Sequence, residues 1–221
     1  MALVTVNDLP VTEGTITYPR IGVWVADLIV TSEEDIAGAV SIEMDGLTLS
    51  GTVYRGGPFI SDARLRVVGG KAGLFTTATP KHYKDSVLVR NIVNDLLGNA
   101  GESLSSLSDA GIITSKIDAW TTTAQPVSRA ILALLETIDD DAILRVLEDG
   151  TVFIGVDDFP TVDDGFEDAS VLDEDPINGM LTVALDVPNL LPGVTCQGRK
   201  LSYVKHQISD RGVRAHAWYE Q

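Results

Sequence analysis

Three histidines, a single cysteine and a dense run of carboxylates are the residues of this chain with the means to do chemistry. His206 and His216 fall on neighbouring predicted strands, where two imidazoles could reach one metal ion, while His82 stands far from both in sequence. A histidine on a strand is more often a half-buried packing residue than a ligand. Cys196 has no basic partner nearby to draw off its proton, so nothing marks it as a nucleophile. As the only cysteine it can form no intrachain disulfide. The sequence therefore assigns no catalytic residue, no metal ligand and no cofactor.

The carboxylates gather between Asp157 and Asp175, with Asp158, Asp163, Asp164, Glu167, Asp168, Asp173 and Glu174 between them. A calcium loop of the helix–loop–helix kind needs a glycine at its sixth position and oxygen ligands at the first and third. With Gly165 in the glycine place, those two positions are Pro160 and Val162, and the pattern fails. A paired-carboxylate hydrolase using Asp163 and Asp164 stays formally open, with Phe159 and Phe166 as its available aromatic platforms. A solvated acidic loop running to Pro176 is the reading its composition favours. Zinc-protease, nucleophile-elbow, phosphate-loop and dinucleotide glycine patterns are all missing.

Charge narrows the function classes further. Thirty-two acids against sixteen bases give −16, which opposes any grip on a nucleic-acid backbone. The signs are unevenly placed. No lysine or arginine occurs between Arg145 and Arg199, whereas Arg199, Lys200, Lys205, Arg211 and Arg214 crowd the last stretch. Opposite signs in different parts of one chain suit contacts between copies. No apolar run reaches the ~18–20 residues that would span a bilayer, and the start carries no secretory pattern, so synthesis in a cytoplasm is expected.

The elements that would carry these residues are mostly strands. Val40, Ile42 and Met44 alternate with Ser41, Glu43 and Asp45, and the alternation resumes at Leu47 and Leu49 after the Asp45-Gly46 hairpin signal. Segments around Ile21–Ala26, Leu28–Val30 and Ala63–Val68 are strand-like too, the last ending at Gly69-Gly70. The middle switches to helical spacing. Val89, Ile92, Val93, Leu96 and Leu97 share one face, with Gly98 as the expected stop. A second helix opens at Pro126 and buries Val127, Ala130, Ile131, Leu134, Leu135 and Ile138. Strands then return: a hairpin through Asp149-Gly150, a strand over Leu181, Val183, Leu185 and Val187, and two more around Val204–Ile208 and Val213–Tyr219. The expected fold is mainly β with an α insertion, an α+β class in which two antiparallel barrel or sandwich modules flank a two-helix segment. The boundaries are 1–82 for the first module, 83–141 for the helical segment and 142–221 for the second module.

From about Ile117 onward the sequence resembles the tail-hub proteins of contractile and long-tailed phages. The resemblance rests on Ile117-Asp118-Ala119-Trp120 with the following helix and the Arg145–Gly155 turn. It rests also on Leu190-Leu191-Pro192-Gly193-Val194-Thr195-Cys196-Gln197-Gly198-Arg199 with the ending Val213–Tyr219. Gly69–Leu74 ahead of Lys81-His82-Tyr83 adds a third, weaker likeness. Membership would imply a hub subunit built like two tail-tube barrels in one chain, so that a homotrimer matches a six-fold tube above and a three-fold spike below. It would also imply a place in the virion tail, assembled in the host cytoplasm, with the tail tube protein, the spike or tip protein and other baseplate proteins as partners. DNA would pass as unbound cargo along a wall lined with carboxylates. At this length an appended cell-wall hydrolase is not expected, nor is enzymatic activity. A six-copy distal-tail or tube-initiator ring is the alternative within the same assembly, and an acidic carbohydrate-binding or carbohydrate-hydrolysing β protein is the alternative outside it.

Overall fold

The computed structural model describes residues 4–44, 46–156, 171–183, 190–196 and 198–219. The first six strands are β1 (Val4–Val6), β2 (Leu9–Pro19), β3 (Val25–Thr31), β4 (Ala39–Met44), β5 (Leu47–Phe59) and β6 (Asp62–Gly69). They pair antiparallel in the order β1-β4-β5-β6-β3-β2, and β1 pairs β2 as well, which closes a six-stranded barrel. Strict alternation fills it: Ile16 and Tyr18, Ala26, Leu28 and Val30, Val40, Ile42 and Met44, and Ala63, Leu65 and Val67 all point inward. Closure leaves no free edge among the paired segments, the usual remedy for an aggregation-prone sheet.

A second unit follows, made of residues 21–23 and 70–157. Its elements are β7 (Lys81–Tyr83), β8 (Val87–Leu88), α1 (Val89–Ala100), α2 (Ala110–Ile113), β9 (Lys116–Ile117), β10 (Trp120–Thr122), α3 (Val127–Leu135), β11 (Ala142–Val146) and β12 (Val152–Val156). The predicted apolar faces of α1 and α3 are the buried ones. Gly98 does not end α1. The helix runs to Ala100, and Gly101 takes the left-handed conformation at φ 76°, donating its N–H toward the Gly98 and Leu97 carbonyls. The β11–β12 hairpin forms as expected around Gly150 at φ 80°, but it belongs to this helical unit and not to the second β module. Four successive residues of β11, Ile143 to Val146, are buried, so the hairpin is covered on both faces.

The rest of the chain returns to the first unit, which comprises residues 1–20, 24–69 and 158–221. Here lie β13 (Val171–Asp175), β14 (Met180–Val183), β15 (Thr195–Cys196), β16 (Arg199–Ser209) and β17 (Gly212–Tyr219). β16 pairs β17, β17 pairs β14, β14 pairs β13, and β15 lies on β16. These strands enclose a core of their own around Leu181, Val183, Leu190, Cys196, Leu201, Val204, Ala215 and Ala217. Each fully buried Leu or Val there contributes roughly 1.5–3 kcal/mol relative to exposure.

One strand joins the two β modules. β2 is long enough for its edge to serve twice: Leu9 and Pro10 face β1, and Gly14 to Pro19 face β16. The barrel and the second module are therefore one continuous antiparallel sheet, in which the first and last parts of the chain pair directly. Against the expected 1–82, 83–141 and 142–221, β7 and the β11–β12 hairpin fall in the same unit as the helices. The acidic stretch also departs from an uninterrupted loop: Val171 to Asp175 is an exposed strand. Asp45, residues 157–170 and the predicted strand residues Leu185 and Val187 lie outside the described residues.

Candidate functional site

The candidate chemical residues do not converge. His206 pairs in register with Ala215 and with Ile16, so its ring points inward, whereas His216 pairs with Lys205 and points to the other face. One residue of offset between paired strands reverses the face, and the two imidazoles cannot share a ligand. His206 is almost wholly buried, its ring meeting Tyr18 edge to face at 5.6 Å. Burial pushes its pKa down from 6.5 to about 4, against the opposing pull of a backbone hydrogen bond with Leu190. His216, half-buried beside Lys205 and Arg214, is also lowered, first by desolvation and then by those two cations. His82 lies in the other unit, its Nδ1 2.6 Å from the Thr121 hydroxyl. Cys196 is buried within the second β core, where a thiol behaves as a small apolar group.

Asp163 and Asp164, and Phe159 and Phe166 with them, fall outside the described residues. The described acids of the same stretch have structural work. Asp175 accepts from the Ile177 and Asn178 amides and from the Asn178 side chain, and this holds its carboxyl below the ordinary range. Glu174 pairs with Arg199, whose guanidinium also lies 4.5 Å from the Tyr219 ring centroid. Among the described residues no three of the histidine, cysteine and acidic side chains gather as metal ligands.

What the sheet does build is a charged face. Strand register sets Arg55, Arg66, Asp27, Thr15, Gln207 and Arg214 in one row across six strands, on the side opposite the core. The face is hollowed into a trough of about 800 Å³ that also holds Glu13 and Arg64. A smaller hollow of about 350 Å³ continues from Gln207 to Arg211 and Arg214. A β-bulge between Val53 and Arg55 puts Arg55 into register with Arg66. Arg66 is held by a two-pronged ion pair with Asp27, at 2.7 and 2.8 Å. Arg64 lies over the Phe59 ring, 4.4 Å from its centroid. Asp62 and Asp173 stand at the margins of this face. Composition had put the positive charge in the last stretch of the chain. The structure adds Arg55, Arg64 and Arg66 to it, a grouping that only strand register reveals.

No protein-family model matches the chain, and no curated protein sequence does. Solved structures match it closely in fold. A tail protein from Neisseria meningitidis MC58 covers 99% of this chain over 96% of its own, at 13% identity and a TM-score of 0.69. The 43 kDa tail protein of prophage MuSo2 from Shewanella oneidensis covers 97% over 95% of its own, at 11% identity and a TM-score of 0.69. The E. coli c3393 protein, a component of the type VI secretion system with structural similarity to T4 bacteriophage tail proteins gp27 and gp5, covers 99% over 77% of its own, at 11% identity and a TM-score of 0.59. The chain has the fold of phage tail proteins. Its mainly β architecture with an α-helical insertion is the class expected from its sequence, and at this identity the likeness speaks for the fold alone.

Proposed function

We propose that this chain is a structural component of a phage-like tail: a trimeric baseplate hub that joins a six-fold tube to a three-fold spike or tip. The observation that carries this reading is the joining of two β modules, each with its own core, along β2 and β16 of a single chain. A subunit with two tube-like modules lets three copies present six to the ring above, a symmetry match that a single-module subunit meets only with six copies. The fold likeness to tail proteins over nearly the whole chain supports the same assignment. In this reading the hub forms part of the channel through which DNA passes unbound, and it contacts the tube protein, the tip protein and other baseplate proteins. Its place is the virion tail, assembled in the host cytoplasm.

The role needs no reaction. Native mass spectrometry of the purified protein at rising concentration tests the copy number. A trimer is the expected species. A closed hexamer would support instead a distal-tail or tube-initiator ring.

A further inference from the structure

We propose that the arginine-lined trough on the outer face of the sheet seats the carboxylate-bearing surface of a second copy of this chain. The inference rests on the assembly reading above and names the surface through which the copies meet.

Three observations point to it. Arg55 and Arg66 stand directly opposite each other on β5 and β6, an arrangement that costs stability in an isolated sheet. Asp27 neutralises Arg66, but Arg55 makes no ion pair among the described residues. Second, the chain as a whole carries −16, whereas the trough and its continuation hold Arg55, Arg64, Arg66, Arg211 and Arg214 against Glu13 and Asp27. A positive hollow on a strongly negative subunit is complementary to almost any other face of the same subunit. Such a contact is head-to-tail, and copies related by a closing rotation form a ring without leaving the hollow empty. Third, the hollow is open to backbone approach. A Cβ built at Gly57 meets no atom within 4 Å, so the floor beside Arg64 has space for a partner's side chains.

The same charges could be read as a path for DNA. Glu13 and Asp27 argue against it, because they set carboxylates among the arginines that a phosphate strand would have to follow. A protein surface, with its own mixture of signs, accommodates them.

The test compares the wild-type chain with the double variant Arg55→Glu/Arg64→Glu and the conservative Arg55→Lys/Arg64→Lys. Both positions are exposed, and circular dichroism and melting curves serve to check that each variant folds. Sedimentation measures self-association at about 50 and about 500 mM salt. The expected result is wild-type association that weakens roughly tenfold or more with salt, weakens about a hundredfold or more in the Glu variant, and is largely kept in the Lys variant. A photo-crosslinking p-benzoylphenylalanine at position 57 is expected to join two chains, with the captured peptide rich in Asp and Glu. A wild-type monomer under every condition, an oligomer indifferent to the Glu variant, or a crosslink confined to one chain would each overturn the proposal. Loss of binding to a DNA oligonucleotide in the Glu variant, with subunit mass unchanged, would overturn it in favour of phosphate contact. A trimer that survives the Glu variant leaves the hub reading standing while removing this interface, so the two failures are told apart.

Discussion

Tyr18 and His206 meet edge to face across β2 and β16, with ring centroids 5.6 Å apart and planes at 87°. The contact ties strands from opposite ends of the chain and sits where the barrel passes into the second β module. Edge-to-face packing places the positive ring edge against a negative face and contributes about 0.5–1.5 kcal/mol beyond burial.

Acid should loosen that seam. His206 stays neutral in the folded chain down to about 4, while the unfolded chain takes up the proton near 6.5. Protons therefore favour the unfolded state between those values, and stability falls as the pH drops from 6.5 to 4, being fully present above that window. The loss is on the order of 3 kcal/mol. Urea unfolding at pH 7, 5.5 and 4.5 should show a shallower decline for His206→Phe than for the wild type. Equal slopes would mean that His206 is not the group responsible. His216 contributes in the same direction but is half-exposed and screened.

Trp24 constrains two glycines at the barrel wall. A Cβ at Gly69 would lie 2.6 Å from Trp24 Nε1, and one at Gly51 would lie 2.7 Å from the far edge of the same ring. Trp24 is almost fully buried and its carbonyl accepts from the Gly69 amide at 2.9 Å, so the ring has little freedom to withdraw. Gly69→Ala should cost about 1–3 kcal/mol by chemical denaturation. In a Trp24→Phe background the same change should cost at least about 1 kcal/mol less, because the smaller ring vacates the space. Additive effects would contradict the clash.

In the helical unit, the buried Glu102 carboxylate organises the turn before β7. It accepts the Gly73 amide at 2.7 Å and the Lys71 amide at 3.0 and 3.2 Å. Glu102→Ala leaves the buried Gly73 N–H and the part-buried Lys71 N–H without their acceptor and should destabilise by about 1–3 kcal/mol. Hydrogen exchange supplies the sharper check: the Lys71 and Gly73 amides should lose protection before the amides of α1 do. Unchanged exchange at both would show that the carboxylate is dispensable.

Much of this fold was legible wherever one face of an element is buried and the other wet. The alternation of Val40, Ile42 and Met44 and the helical faces at Val89–Leu97 and Val127–Leu135 are read directly from residue type. Pairing between distant segments leaves no such trace. Nothing local in Thr15–Tyr18 announces a partner at Val204–Gln207, so the seam between modules and the true unit boundaries were hidden. The Asp149-Gly150 turn marks a hairpin but not what the hairpin packs against. Gly98 and Gly101 both suit a helix stop, and only the carbonyls available three to four residues back decide between them. The trough was hidden for a related reason, since the meeting of Arg55 with Arg66 depends on a bulge at Tyr54 that shifts the register.

Cryo-electron microscopy of tail particles from the strain that encodes this chain, with an affinity label on the protein, addresses its proposed role most directly. The expected image shows three labelled copies at the end of the tube, ringing the channel between six-fold and three-fold layers. Label absent from tails, or repeated along the length of the tube, would contradict the assignment as a hub.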